Sequence, residues 1–309
     1  MSGIIKIGII GMSAGNAHPY SWSSIINGLF DADEISNMGY PAVSAYLNAN
    51  KDTLGINGSK VNFVWTQDKQ LSESIARSSG IENIANYPEE MIGQVDAIIL
   101  ARDDAENHME MAKSFIEAGV PIFIDKPLAI SQKDLEWFAE QNKAGKFMMS
   151  CSSMRYSNEC RTAMTEINSL GKLELVTAVG KKDWAKYGVH MLEAVFSLLN
   201  DPIPVSVKHV GKDKEDTVIV SFDNGLNAFF HLYMNITPTF QISLFGHQGW
   251  RLIEIKNSYS MFRDNIIEFI RSIQDGTPRL AFHKTENIIK VLIAAQNSLK
   301  ENGKTIYLK

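Results

Sequence analysis

The clearest candidate for chemistry in this chain is the tripeptide Asp125-Lys126-Pro127, which follows the apolar run VPIFI at 120–124. A lysine placed where a buried strand ends is held at the rim of a sheet, and in open parallel α/β sheets ligands bind at that rim. Pro127 fixes its own φ, lacks an N–H and restricts Lys126 to extended conformations. The tripeptide alone fits a solvated loop lysine equally well, so the surrounding elements must decide.

The first 130 residues alternate short apolar runs with amphipathic segments. Strands are predicted at 4–10, 61–66, 95–101 and 120–125, and helices at 21–29, 70–78 and 105–118. Continuous apolar strands that alternate with helices predict a parallel, doubly wound sheet. The stretch 31–60 reads as an insertion that carries Tyr40, Pro41 and a short helix.

The second half has a different hydrophobic pattern, which predicts a second, α+β domain. After a helix at 132–142, its strands are longer and alternate apolar with polar residues, at 173–179, 205–210, 217–222, 227–232 and 240–245. Asp223-Asn224-Gly225 is a hairpin turn signal between two of them. Alternation predicts that one face of the sheet is buried and that the other is exposed to solvent or forms an interface. Helices at 261–274 and 285–301 and a short strand at 305–308 complete the chain.

Composition restricts the class of protein. At 309 residues the chain is long enough for two domains, and its formal charge of −5 argues against nucleic acid or a membrane surface as partner. Two cysteines do not make a disulfide framework, which favours a reduced, cytoplasmic setting. We interpret the apolar N-terminal run as a first strand and not a signal peptide, and no run reaches the roughly 18 apolar residues of a membrane span.

The first predicted strand leads into a turn, GMSAGNAH at 11–18, that partly matches the dinucleotide fingerprint G-x-G-x-x-G. Gly11 takes the first glycine position, Ser13 the second and Asn16 the third, while Gly15 lies one residue early. Small side chains still allow a pyrophosphate to approach the backbone at a helix N-terminus. Where an acidic residue usually binds the adenosine ribose, the chain has Thr66. We therefore favour NADP slightly and do not exclude NAD.

In the second half, His190 and Glu193 lie three residues apart and share one face of a predicted helix. His190 could exchange a substrate proton near neutral pH. The alternative is a structural histidine bonded to Glu193. A metal site with Asp103, Asp104 or His108 is a third possibility, but no ligand spacing supports it, and we predict no metal.

Taken together, these segments resemble the glucose–fructose oxidoreductase / inositol dehydrogenase (Gfo/Idh/MocA) family over nearly the whole chain. The landmarks are the first strand and turn, VDAIILARDDAENHMEMAKSFIEAGVPIFIDKPLA, SMRYSNECR, YGVHMLEAVFSLL and the long C-terminal segment from FRDNIIEFIRSIQDGTPRLAFHKTENIIKVL to ENGKTIYL. The resemblance implies a Rossmann domain (1–127) that binds NAD(P). It also implies an α+β domain (128–309), with an open, mostly antiparallel sheet, for substrate binding and oligomerisation.

The same resemblance implies roles for individual residues. Lys126, in the DKP counterpart of the family's EKP motif, and His190 are expected to be catalytic. Expected substrate contacts are Arg155, Lys186, Tyr187 and Glu193. Expected cofactor contacts are Gly11, Met12, Ser13, Gly15, Asn16, Thr66, Ala101, Asp103, His108 and Asp125. The implied reaction is hydride transfer between nicotinamide and a carbinol or carbonyl carbon of a sugar, sugar acid, cyclitol or nucleotide sugar, carried out by a homodimer or homotetramer.

One departure from the family pattern changes the expected electrostatics. The family usually has an aspartate four residues before the histidine, and Lys186 stands there. A second cation beside Lys126 and His190 would depress the pKa of its neighbours or pair with an anionic substrate group. Two alternatives therefore stay open: a non-redox lyase or hydrolase that uses nicotinamide transiently, and a regulator that binds cofactor or sugar without catalysis.

Overall fold

The apolar runs of the first half pair side by side as one parallel sheet of six strands. These are β1 (Ile5–Ile10), β2 (Ser59–Trp65), β3 (Asn83–Ile84), β4 (Ala97–Leu100), β5 (Ile122–Ile124) and β6 (Met148–Ser150). Their order, β3-β2-β1-β4-β5-β6, is the doubly wound Rossmann order that the strand–helix alternation predicts, so the fold class is confirmed. β4 and β5 are fully buried, as strands covered by helices on both faces must be.

Helices connect these strands and cover the sheet. They are α1 (His18–Asn27), α2 (Ala32–Asn37), α3 (Pro41–Ala49), α4 (Lys69–Ser79), α5 (His108–Glu117) and α6 (Gln132–Lys143). The stretch 31–60 contains two helices, α2 and α3, where the sequence suggested one. Asp31 begins α2 because its carboxylate accepts the N–H groups of Asp33 and Glu34.

The computed structural model describes residues 3–308, which divide into two compact units. The first unit takes the chain up to Ala129 together with Lys133–Cys151 and Phe262–Phe282. The second takes Ile130–Gln132, Ser152–Met261 and the chain from His283 onward. This division differs from the predicted boundary at 127/128, because β6 pairs with β5 and so belongs to the first sheet.

The second unit is built on a mixed sheet of seven strands. These are β7 (Leu173–Lys181), β8 (Pro204–His209), β9 (Glu215–Phe222), β10 (Asn227–Tyr233), β11 (Phe240–Gly246), β12 (Trp250–Glu254) and β13 (Ile306–Tyr307). In the order β12-β11-β7-β10-β9-β8-β13 only β7 and β10 run parallel to each other, so the sheet is mostly antiparallel, as expected.

Three further helices complete the structure around this sheet, and a fourth belongs largely to the first unit. They are α7 (Asn158–Glu166), α8 (Trp184–Leu198), α10 (Phe282–Lys300) and, mostly in the first unit, α9 (Ser258–Asp275). The indole N–H of Trp184 donates to the carbonyl of Leu292 at 3.2 Å and ties α8 to α10. Between residues 3 and 308, no helix is both long and apolar enough to cross a membrane.

Candidate functional site

In the first unit, three central strands of the parallel sheet end at one level, and the residues after them form the candidate site. Ala101 donates its N–H to the carbonyl of Ile10 at 2.7 Å, and Asp125 donates to that of Leu100 at 2.9 Å. Gly11 follows Ile10 directly. The turns after β1, β4 and β5 therefore begin side by side at the carboxyl edge, where ligands bind in this fold.

Asp125 is buried at this edge and fully engaged by the chain. Its Oδ2 accepts Nδ2 of Asn16 at 3.0 Å and lies 2.6 Å from Nδ1 of His18, while its Oδ1 accepts the N–H of Lys126 at 2.7 Å. Burial alone would raise the pKa of Asp125, but the charges of His18 and Lys126 and their hydrogen bonds lower it to about 2. Asp125 is thus an ionised anchor: its carboxylate holds Asn16, His18 and the backbone of Lys126 in place. We had expected it to contact the cofactor instead.

Lys126 is 8% exposed, and its ammonium group is held by a carboxylate from the neighbouring turn. Nζ lies 3.2 Å from Oδ2 of Asp103. The other oxygen of Asp103 accepts the hydroxyl of Ser13, and the N–H of Asp103 donates back to that hydroxyl oxygen at 3.0 Å. The lysine is therefore an oriented, paired cation and differs from a solvated loop lysine.

In the part of the chain that the structure describes, the glycine turn after β1 has backbone N–H groups that are free to bind a ligand. A Cβ at Gly11 would collide with the Pro19 ring, and Gly15 has φ +77°, so both positions require glycine. Within residues 3–308, the backbone N–H groups of Ser13, Ala14 and Gly15 donate to no acceptor. Three consecutive unbonded N–H groups at the entry to a helix suit a pyrophosphate, so this turn fits a dinucleotide.

A cavity of about 560 Å³ opens beside the same turn. Gln67 fixes its wall by accepting the N–H of Met12 at 3.1 Å and donating to the Met12 carbonyl at 2.7 Å. Glu34, Asp68 and Arg77 also line it, and Arg77 pairs with Glu34 at 2.9 Å. Its place between the turn and the end of β2 is where a Rossmann fold receives the adenosine half of a dinucleotide.

Thr66 does not line this cavity. It is 4% exposed, and its hydroxyl donates to the carbonyl of Asp68 at 2.6 Å and lies 2.9 Å from Oγ of Ser72. The hydroxyl is used within the turn that starts α4, so it is not available to a ribose. The preference for NADP that we based on Thr66 loses its support.

His108 and Ala101 are also internal. The His108 ring is fully buried, with Nδ1 3.2 Å from the carbonyl of Leu128 and Nε2 2.9 Å from that of Arg102. It links the turn after β4 to the chain beyond the DKP motif. Ala101 is fully buried and offers only backbone at the edge. Both support the site and present no polar side chain to a ligand.

In the second unit, His190 lies on α8, and a hydrogen bond at Nδ1 orients its ring. Its Nδ1 is 2.6 Å from Oγ of Ser152, which in turn accepts the N–H of Met154 at 3.2 Å. The ring of Tyr187 meets the imidazole edge-on, with centroids 4.9 Å apart. Sequence reasoning did not find Ser152, because the contact joins residues 38 positions apart.

Arg155 and Glu193 form an ion pair with each other, whereas we expected both to contact the substrate. Arg155 donates Nε to Glu193 at 2.5 Å and its terminal nitrogens to both oxygens of Asp201, at 2.9 and 3.1 Å. Lys284 adds a second cation at Asp201, 2.8 Å away. Burial raises the pKa of Glu193 against the opposing effect of Arg155 and the Ser152 N–H, while Arg155 and Lys284 overcome burial and lower the pKa of Asp201. Because each charged group has a partner, the network is structural.

Lys186 and Tyr187 remain accessible at the start of α8. Lys186 is exposed, and its N–H donates to the capping carboxylate of Asp183 at 3.0 Å. The hydroxyl of Tyr187 accepts Nζ of Lys182 at 2.8 Å, and its ring stacks on Phe240. These two side chains can contact a ligand.

The structure therefore gathers part of the predicted site. Six predicted residues lie together at the carboxyl edge of the first sheet: Gly11, Ser13, Asn16, Asp103, Asp125 and Lys126. Gln67 was missed, although it follows a strand that ends at this edge, which was the available signal. Among the described residues, no three His, Cys, Asp or Glu side chains form a group that could hold a metal ion.

Comparison with known proteins gives a family match in the first half of the chain. Residues 35–150 match the family model described as "Oxidoreductase family, NAD-binding Rossmann fold" (Gfo/Idh/MocA). Inositol 2-dehydrogenase 1 from Saccharopolyspora erythraea is 31% identical over 107 residues. That segment is 33% of this chain and 32% of the relative, so the match spans about a third of the curated protein's length.

Solved structures share the fold over the whole chain. A putative myo-inositol dehydrogenase from Sinorhizobium meliloti 1021 superimposes with a TM-score of 0.77 at 15% identity, covering 99% of this chain and 100% of that one. A scyllo-inositol dehydrogenase from Lactobacillus casei with bound NAD(H) and scyllo-inositol gives 0.75 at 12% identity, covering 98% of each chain. These likenesses establish the fold, and residues 35–150 resemble the NAD-binding Rossmann segment of the Gfo/Idh/MocA oxidoreductase family.

Proposed function

We propose that this protein is an NAD(P)-dependent oxidoreductase that acts on a CH–OH group of a sugar, sugar acid, cyclitol or nucleotide sugar. The observation that carries the proposal is the buried ammonium group of Lys126, paired with Asp103. It lies beside a glycine turn in which three N–H groups donate to no acceptor among residues 3–308. A cation held next to a dinucleotide turn suits stabilisation of an alkoxide. The match of residues 35–150 to an NAD-binding oxidoreductase family model supports the same chemistry.

Ser13, Ala14 and Gly15 would hold the pyrophosphate through their backbone N–H groups, and Gln67 and Asp68 would face the adenosine ribose. When bound, the nicotinamide accepts or returns a hydride. The cavity favours NAD over NADP, because the carboxylates of Glu34 and Asp68 outnumber the one cation, Arg77, which Glu34 already pairs. A 2′-phosphate would meet net negative charge there.

Lys126 and His190 are the proposed catalytic residues. The ammonium group of Lys126 would orient the reacting hydroxyl and stabilise the oxyanion as the proton leaves. His190 would accept that proton through its imidazole, which Ser152 orients at Nδ1. The exposed ammonium group of Lys186 favours substrates with an anionic group, such as a sugar acid or a nucleotide sugar.

The first test is titration of the purified protein with NADH and NADPH, followed by tryptophan quenching. We expect saturable binding with NADH the tighter ligand, and then turnover in a screen of sugars and cyclitols. Lys126→Met should lower kcat by about 10²- to 10³-fold, as loss of an oxyanion-stabilising group does. Lys113→Met, an exposed lysine on α5, is the matched control and should keep wild-type turnover.

Other outcomes would identify the alternatives. Failure to bind either cofactor would refute the oxidoreductase and favour a non-catalytic regulator. Product formation without net change in nicotinamide absorbance would favour a lyase or hydrolase. Full activity in Lys126→Met would refute the role assigned to the lysine.

We also propose a homo-oligomer, a dimer or a tetramer. The β11–β12 end of the second sheet exposes Phe245, Trp250 and Leu252, which are 40, 67 and 51% accessible. Apolar side chains on an edge hairpin favour association. Light scattering after size exclusion should give a mass above 34.5 kDa, and a monomer would refute this. The two cysteines, too few for a disulfide framework, support a cytoplasmic location.

A further inference from the structure

The two non-glycine residues of the fingerprint have unusual surroundings for a phosphate-binding turn. Ser13 and Asn16 stand at the second and third glycine positions and are 8% and 4% exposed. Glycine at these positions lets the backbone approach a pyrophosphate, and a side chain there has no function in that contact. Both polar side chains instead point to carboxylates on neighbouring turns.

Ser13 reaches the charged end of Lys126 through one carboxylate. Its hydroxyl donates to Oδ1 of Asp103, and the Asp103 N–H donates back to Ser13 Oγ at 3.0 Å. This pair of bonds fixes the carboxylate plane. The remaining oxygen, Oδ2, lies 3.2 Å from Nζ of Lys126, so the lysine's head group is placed by a residue of the glycine turn.

Asn16 reaches the other end of the lysine through a second carboxylate. It donates Nδ2 to Oδ2 of Asp125 at 3.0 Å, while Oδ1 of Asp125 accepts the Lys126 N–H at 2.7 Å. The Oδ1 of Asn16 also accepts the N–H of His18 at 2.8 Å, and His18 closes the network at Asp125. The backbone of Lys126 is therefore tied to the same turn as its ammonium group.

We propose that Ser13 and Asn16 are positioning residues for Lys126, acting through Asp103 and Asp125, and that this is why they replace glycine in the fingerprint. The inference rests on the proposed function, because it takes Lys126 to be the catalytic cation. It predicts that restoring the glycine consensus keeps the dinucleotide turn and damages the lysine's placement. If Ser13 and Asn16 were only imperfect substitutes for glycine, restoring glycine would improve the dinucleotide turn and leave the placement of Lys126 unchanged.

The test compares Ser13→Gly, Asn16→Gly and Asp103→Asn with two controls. Ala17→Gly adds a glycine to the same turn without removing a hydrogen bond, and Asp104→Asn neutralises the adjacent carboxylate, which pairs with Arg102 and not with Lys126. The first readout needs no substrate: acetylation of Lys126 in the ligand-free protein by an N-hydroxysuccinimide ester, followed by peptide mass spectrometry. The second is kcat together with the Kd for NADH.

We expect acetylation of Lys126 to be about threefold or more faster in the Ser13 and Asp103 variants, and unchanged in both controls. We expect kcat to fall roughly 10- to 100-fold in Ser13→Gly and Asn16→Gly, with the Kd for NADH within about twofold of wild type. Ser13→Gly leaves the buried Asp125 network intact, so the test stands even if Asn16→Gly fails to fold.

Unchanged acetylation in Ser13→Gly and Asp103→Asn would overturn the inference. So would a loss confined to NADH affinity, which would make Ser13 and Asn16 cofactor contacts. Failure of the proposed function gives a different pattern, because the wild type would then bind no nicotinamide while the acetylation rates still differ between variants and controls. Full turnover in Lys126→Met, by contrast, would overturn the catalytic role on which the inference rests.

Discussion

Replacement of Asp125 by asparagine should destabilise the first unit in a way that depends on pH. The pKa of Asp125 is lowered from 3.8 to about 2 by its buried contacts. At 1.36 kcal/mol per pKa unit, this difference contributes about 2.4 kcal/mol to the free energy of unfolding at neutral pH. Because the folded pKa is the lower one, the contribution is complete above pH 3.8 and is lost as the pH falls through about 2.

The assay is urea unfolding of the wild type and Asp125→Asn, followed by tryptophan fluorescence at pH 5 and at pH 3. For a folded pKa of about 2, the Asp125 contribution falls from about 2.4 to about 1.3 kcal/mol between these pH values. The gap between the two proteins should therefore narrow by about 1 kcal/mol. Asp33→Asn, an exposed aspartate in the first turn of α2, should follow the wild-type curve. A gap that stays constant from pH 5 to pH 3 would refute the argument that Asp125 is an ionised anchor.

Three further outcomes are expected. Arg155→Met should lower the free energy of unfolding by about 3–5 kcal/mol in urea, because it leaves Glu193 and Asp201 without their partner, and wild-type stability would contradict the network. Ser152→Ala should lower kcat roughly tenfold at unchanged NADH affinity, since the bond that orients His190 is lost, and unchanged kcat would contradict this. Glu34→Gln should strengthen NADPH binding relative to NADH by about tenfold in a fluorescence titration, and an unchanged ratio would remove the electrostatic basis of NAD preference.

Much of the fold follows from local patterns. The runs IIKIGII and VDAIILA are apolar without alternation, which is typical of strands covered on both faces, and they are β1 and β4. The alternating strands of the second half likewise predicted a sheet with one buried face. The short β6 was not predicted, because three residues carry too little periodicity, and its pairing with β5 moves the division between the units past 127.

The candidate site, like the fold, could be predicted from the sequence only in part. Lys126 and the glycine turn were found from the sequence because their signals are local: a charged residue after an apolar run and glycines at fixed spacing. The roles of Thr66, His108, Arg155 and Glu193 were not determined, because burial and long-range partners decide whether a polar side chain is free to meet a ligand.

The sequence by itself determined that a lysine stands at the rim of a parallel sheet next to a dinucleotide-type turn, since strand ends and turn residues are encoded within short windows. Only the tertiary structure decided what holds that lysine. Asp103 and Asp125 lie 90 and 109 residues from Ser13 and Asn16, and the order of strands β1, β4 and β5 in the sheet brings them within hydrogen-bonding distance. Hydrogen bonds and ion pairs depend on distances of a few ångströms, which no spacing along the chain specifies.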